Sequence, residues 1–391
     1  MKLLKRDKTF VIDSDGKRVH LRGVNFGGWL MMEAYFMYSP NWPQQVFEKE
    51  FVRRHGARAL ETLVKSFRDN FIAEADVKQV ASWGMNSIRL PFHYKVAEDK
   101  KAISYIDQAV AWARKHQVYL ILDLHAAYGA QNHDWHSDSL GPAELWTKKS
   151  NRHKTYSLWE MLADRYKDEA VIAGYDLLNE AVLESAGLLN EFYHQLIKAI
   201  RRCDKNHMLF IEGKHWAQQI DVLDDFPDDN WIYSIHFYEP IEFTFNYVPF
   251  LTYPWKGYDK DVIRRRMEGY FRLAQKMQRP VHVGEFGVNY RQGFYNEHLY
   301  LRDELKAFND LGFHWNYWTY KAVKNYLHPD GIFGYYPNSP WVNRPAVKPG
   351  WHTWADCWPK YKNEMAASWQ TRAFNLNNEV AKQLQQAAKA S

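Results

Sequence analysis

Cysteine is nearly absent. Two thiols, Cys203 and Cys357, in 391 residues exclude a disulfide framework. With no histidine cluster at ligand spacing beside them, they also exclude a cysteine-based zinc site. Reduced thiols are expected. Long hydrophobic runs are missing too: no stretch approaches the roughly 18 apolar residues that a membrane span needs. The N-terminal Met-Lys-Leu-Leu-Lys-Arg-Asp-Lys has basic residues but no apolar run after them, so no secretory signal is read there. The expected location is cytoplasmic, or secreted with the signal peptide removed. Charge of one sign is scarce: 51 Lys and Arg against 46 Asp and Glu leave a net charge of +5. That is too little to argue for a nucleic acid or a membrane surface as partner. No Gly/Ser- or Pro-rich linker divides the chain. What is abundant is aromatic: 17 Trp, 25 Tyr and 22 Phe. They fit either an aromatic-heavy core or a surface that stacks flat rings on apolar C–H faces, as sugars offer.

Thr9 to Leu21 alternates around Asp15-Gly16, which reads as a hairpin. Eight short apolar runs then recur: Leu21–Phe26, Ser87–Leu90, Val118–Leu124, Ile172–Leu178, Met208–Ile211, Ile232–Phe237, Val281–Phe286 and Phe313–Trp318. Amphipathic stretches separate them, among them Ile103–His116, Ser157–Lys167, Gly187–Asp204, Lys260–Gln278 and His298–Leu311. Strand alternating with helix implies a parallel sheet, and eight units imply a closed α/β barrel, the (β/α)8 or TIM type. The rival, an open doubly wound sheet, has no Gly-x-Gly-x-x-Gly after its first strand to support it. The expected organisation is one catalytic domain over 1–391, with a hairpin over 1–20 and a helical tail over about 363–391. Three segments, 126–156, 239–259 and 319–360, are too long for simple connections. All follow the C-terminal ends of strands, the face that carries barrel active sites.

Polar residues recur at that end of the runs: Arg89, His125, Asn179 with Glu180, His236 with Tyr238, Glu285 and Trp318. In a barrel these ends converge on one axis. Two glutamates from separate strands supply what a retaining glycosidase needs, two carboxyls about 5–5.5 Å apart. Arg89 beside Glu285 would hold it ionised as a nucleophile. His236 and Tyr238 would hydrogen-bond the two carboxylates, Asn179 would hold a sugar 2-hydroxyl, and Trp318 would floor the ring. His133, Asp134 and His136 suggest a metal cluster, but such a group in an aromatic loop reads as a solvated or sugar-binding turn. Arg264, Arg265 and Arg266 read as a solvated helix face.

Leu-Asn-Glu after one strand and Gly-Glu-Phe-Gly after a later one resemble glycoside hydrolase family five. The family's set of eight occurs in order as Arg89, His125, Asn179, Glu180, His236, Tyr238, Glu285 and Trp318. The resemblance implies Glu180 as acid/base and Glu285 as nucleophile, with no metal or cofactor. Arg22–Glu33 and Asp123–Asn132 are similar to segments of the exo-β-1,3-glucanase branch. That likeness implies Glu33 as a ligand for the terminal sugar; the three long insertions would close the same end of the groove, with Trp135 and Tyr128 as its walls. Two departures are Ala181, where the family usually has Pro, and Ala126-Ala127-Tyr128 in the second segment. The expected activity is retaining, exo-acting hydrolysis of β-glucosides, β-glucan oligosaccharides or related β-linked sugars, with the oligosaccharide or glycoside as the expected partner. The alternatives are an endo-acting β-glucanase or mannanase of the same family, or a carbohydrate-binding barrel without catalysis.

Overall fold

A computed structural model describes residues 1–37, 39–323, 325–334 and 351–390. The chain opens with β1 (Leu4–Asp7) and β2 (Phe10–Asp13), an antiparallel pair. Eight parallel strands follow: β3 (Arg22–Asn25), β4 (Ser87–His93), β5 (Tyr119–Ala126), β6 (Ile172–Asp176), β7 (Met208–Glu212), β8 (Trp231–His236), β9 (Val281–Glu285) and β10 (His314–Tyr317). They close in sequence order, with β10 pairing β3. All eight coincide with the apolar runs. Helices cover their outer faces, so the strands are buried on both sides and read as near-continuous hydrophobic segments.

The hairpin turns earlier than the sequence pattern places it. Lys8, at φ 54°, reverses the chain between β1 and β2, and the Asp15-Gly16 turn adds only a bridge from Ile12 to Arg18. Lys5, Arg6 and Asp7 leave β1 without an apolar period. The hairpin inserts Leu4 and Val11 against Leu21, Ile121, Met208, Phe210 and Ile232, and so plugs the N-terminal mouth of the barrel.

The connection from β3 to β4 carries three helices, Gln44–His55, Ala57–Phe71 and Glu74–Ser82. It belongs with the long insertions at the catalytic end. Its signal was present: Leu63, Phe67 and Phe71 recur at helical spacing and are buried. The helix at Lys149–Tyr166 begins before the expected Ser157, because a polar first half hides its period. The C-terminal stretch is a working part of the packing. Trp354 and Trp369 bury against Phe67, and the helix Asn378–Lys389 docks on the one at Glu297–Asp310, where Asn309 Nδ2 donates to the Ala387 carbonyl (3.0 Å). Of the third predicted insertion, residues 324 and 335–350 lie outside the described residues. Cys203 and Cys357 are not disulfide-bonded. No described helix is long and apolar enough to cross a membrane.

Candidate active site

The strand ends converge on a cavity of about 500 Å³ lined by Glu33, His125, Glu180, Tyr238, Glu285 and Trp318, among others. Arg89, Asn179 and His236 lie beneath its lining: Arg89 against Glu285, His236 against Glu180, and Asn179 against Arg89. All nine sequence-predicted residues are therefore brought together. Tyr128 is not: its ring packs on Tyr94 at 4.0 Å, away from the cavity, and leaves Trp135 alone of the two expected walls. A bulky aromatic flanked by small residues finds a neighbouring ring on β4's connection instead of the substrate space.

Arg89 is the hub. It is fully buried, and its guanidinium fork reaches Glu285 Oε1 (2.7 Å), Asp176 Oδ2 (2.9 Å), Asn179 Oδ1 (2.9 Å), Asp123 Oδ1 (3.1 Å) and Glu212 Oε1 (3.2 Å). Burial would drive its charge off, but the surrounding carboxylates outweigh burial and carry its pKa well above the ordinary value. Four carboxylates around one cation cannot all ionise cheaply. Burial and the neighbouring Glu212 accordingly push Asp176 well above the carboxylate range.

Glu285 ends β9. Arg89 holds one of its oxygens, and the Tyr238 hydroxyl donates to the other at 2.9 Å. Glu180 follows β6 at φ 51°, a left-handed backbone that is uncommon outside glycine. Its N–H donates to Glu212 Oε2 (2.6 Å), and Asn132 Nδ2 donates to its carbonyl (3.0 Å), which pins the turn and aims the carboxylate inward. His236 Nδ1 lies 2.8 Å from Glu180 Oε1 and 3.6 Å from Glu285 Oε2. An oxygen of each glutamate and a nitrogen of His236 lie within 4.8 Å of one another. That is the close pairing of a double-displacement site; single displacement needs roughly 6.5–9.5 Å to admit water between the carboxyls.

Burial lowers the His236 imidazole, but Glu212 and Glu285 more than reverse this and raise it well above its usual value. Burial raises Glu180, but His236 and His136 outweigh it and hold the carboxyl below its usual value. On the far side of the cavity, burial pushes His125 down; Asp123, at 2.8 Å, and Glu33 lift it to about 10. His125 stacks on Trp318 (5.3 Å, 6° between planes). Trp318 Nε1 donates to the Tyr35 hydroxyl (2.5 Å). Gly28, at φ 74°, brings the chain hard against Phe36; a Cβ there would meet that ring at 2.7 Å. The short 3-10 turn Ala34–Met37 behind Glu33 depends on that approach.

Among the buried polar atoms with no hydrogen-bond partner in the described residues are Glu33 Oε1, whose nearest charged neighbour is His125 Nε2 at 3.4 Å, and Asn179 Nδ2. A buried unpaired polar atom is costly.

A profile of the family described as Cellulase (glycosyl hydrolase family 5) matches residues 49–324. The chain belongs to that family. A "Beta-xylosidase" from Phanerodontia chrysosporium is 31% identical over 83% of the chain and 71% of its own length. "Endoglucanase C" from Acetivibrio thermocellus is 30% identical over 57% of the chain and 58% of its own length. Among solved structures, one described as a glycoside hydrolase superposes with a TM-score of 0.62 at 19% identity, covering 94% of this chain and 99% of the other, which speaks for the barrel alone. As a family 5 member the chain is a retaining hydrolase of β-glycosidic bonds.

Several residues of the site lie outside the family's set of eight, Glu212 beneath the floor and Tyr35, Trp216 and His328 on the walls. Glu212 ends the run Met-Leu-Phe-Ile-Glu and obeys the same strand-end rule as Glu180, so it was open to prediction. Tyr35, Trp216 and His328 carried no pattern. Of the suspected metal cluster, His133 points to solvent beside Trp216, while His136 turns inward to within 3.5 Å of Glu180 Oε2.

Proposed function

We propose that this enzyme removes terminal sugars from β-linked oligosaccharides or glycosides, with Glu285 as nucleophile and Glu180 as acid/base. The chain acts as one catalytic barrel, propped by the hairpin below and the C-terminal helices outside. Arg89 and Tyr238 fix both oxygens of Glu285, which suits a carboxylate that must attack in one direction. Glu180 has one oxygen on His236 and the other facing the cavity, which suits a group that passes a proton to and from the bond being cleaved. Asn179 Nδ2 would donate to the sugar 2-hydroxyl, a bond that strengthens as positive charge develops at the anomeric carbon. Trp318 would lie under the ring.

The observation that carries terminal attack is the closed end beside Glu33. Tyr35, Trp135 and His328 touch one another there, with ring centroids 5.7, 5.0 and 5.8 Å apart. Rings at van der Waals contact leave no passage for a further sugar. Glu33 Oε1 would accept from hydroxyls that only an unsubstituted chain end possesses. Burial raises the Glu33 carboxyl, with His125 opposing, so a sugar hydroxyl that solvates it improves its ionised form.

Glu33→Ala is expected to lower kcat/KM on a short β-linked oligosaccharide by about 1.5–3 kcal/mol, the scale of a hydrogen bond to a charged group. Timed product analysis of the wild-type enzyme on a long oligosaccharide should give single terminal units from the first minutes. A spread of internal fragments would replace terminal attack with the endo-acting alternative.

A further inference from the structure

His136 has no part in the family's set of eight, yet its partly buried ring lies against the acid/base. Its Nε2 lies 3.5 Å from Glu180 Oε2 and 3.5 Å from Asp134 Oδ2. Asp134 is itself anchored, accepting from Trp216 Nε1 at 2.7 Å. The 3-10 turn Trp135–Ser137 fixes the ring, with the Ser137 hydroxyl donating to the Asp134 carbonyl. Glu180 therefore has an imidazole at each oxygen, His236 on one and His136 on the other.

We infer that His136, backed by Asp134, is a positioning residue that keeps the Glu180 carboxylate ionised and ready to accept a proton in the hydrolysis half of the cycle. The inference rests on the acid/base reading of Glu180. In that half, the oxygen of water bonds to the anomeric carbon, its proton passes to Glu180, and the bond to Glu285 breaks with its electron pair returning to that carboxylate. A cation 3.5 Å from Glu180 favours the acceptor form and disfavours the protonated donor form. His136 thus trades speed in the first half for speed in the second.

The groups that face this pair come from every neighbouring element. Asp134 and Glu33 are anions that favour a charged His136. His125, from the end of β5, stands 6.3 Å away ring to ring and opposes it. Glu212, His236 and Glu285 face Glu180 from β7, β8 and β9. His328 borders the same cavity, and burial, with His136's charge, pushes it down to about 4. Burial lowers His136, but Asp134, Glu180 and Glu33 reverse this and raise it.

The test is kcat/KM against pH, on an aryl β-glycoside with a poor leaving group, for wild type, His136→Gln, Asp134→Asn and Glu180→Ala. Loss of the cation makes Glu180 a weaker acid, so it stays protonated to higher pH. The falling alkaline limb should move up by about 1 pH unit in His136→Gln, and in the same direction in Asp134→Asn. With an activated leaving group, where hydrolysis of the intermediate limits turnover, kcat should drop roughly tenfold. An even loss at all pH values with the limb in place would make His136 a scaffold residue and overturn the inference. Should His136→Gln fail to fold, an unmoved limb in Asp134→Asn overturns it equally. Glu180→Ala should show no falling limb. If that variant keeps the limb, the acid/base reading falls, and this inference with it.

Discussion

Glu285→Ala should lose about 10⁵-fold in kcat while keeping the wild-type melting temperature to within a few degrees. The reason is geometric. Arg89 Nη1 and the Tyr238 hydroxyl hold the two Glu285 oxygens at 2.7 and 2.9 Å, and no other carboxylate can reach the same face of the sugar. Asp123, Asp176 and Glu212 are fully buried beneath Arg89, behind the pocket floor. Removing the carboxylate leaves a space of the right charge for a small anion. Added azide should therefore restore part of the activity, and its product should be the glycosyl azide of opposite anomeric configuration, because only one displacement then occurs. The check is turnover and product analysis with and without azide. Near-wild-type turnover in the variant would remove Glu285 from the nucleophile's role.

Glu180→Ala should separate substrates by leaving group. A glycoside whose alcohol is a poor leaving group needs a proton on the departing oxygen and should lose about 10²–10⁴-fold in kcat/KM. An aryl glycoside with an acidic phenol needs little help and should form the intermediate almost as fast as in wild type. Its kcat should still fall, because hydrolysis of the intermediate has lost its base. The measurement is a series of aryl glycosides of graded phenol acidity, with the slope of log kcat/KM against leaving-group pKa steepening in the variant. A uniform loss across the series would contradict the role.

How much of this was legible in the sequence follows from where each residue stands. Arg89, Asn179, Glu180, His236 and Glu285 are polar interruptions at the C-terminal ends of apolar runs, and a closed barrel brings all such ends to one axis. The runs and the interruptions are both visible in one dimension. Asp123 and Asp176 interrupt runs too, but an aspartate inside a strand could face either side. Only the closed register shows that both point inward to Arg89. His136 is the opposite case. His133, Asp134 and His136 look equivalent in a polar aromatic loop, and the one-turn 3-10 helix decides which histidine faces Glu180 and which faces solvent. The β3–β4 insertion was readable from the Leu63, Phe67, Phe71 spacing. Its partner, Trp354, stands nearly 290 residues away, and no local pattern links the two. The early turn at Lys8 was hidden because a two-residue reversal needs no glycine when lysine adopts the left-handed conformation.

The most direct measurement is covalent capture of the nucleophile. A β-glycoside that the enzyme turns over, fluorinated at C2 and carrying a good leaving group, should form the intermediate faster than water can release it. Electron withdrawal by fluorine slows both steps, and the leaving group rescues only the first. Intact mass should rise by one fluoroglycosyl unit, and peptide sequencing should place it on Glu285. A label on Glu180, or hydrolysis with inversion and no adduct at all, would contradict the assignment of Glu285 as nucleophile.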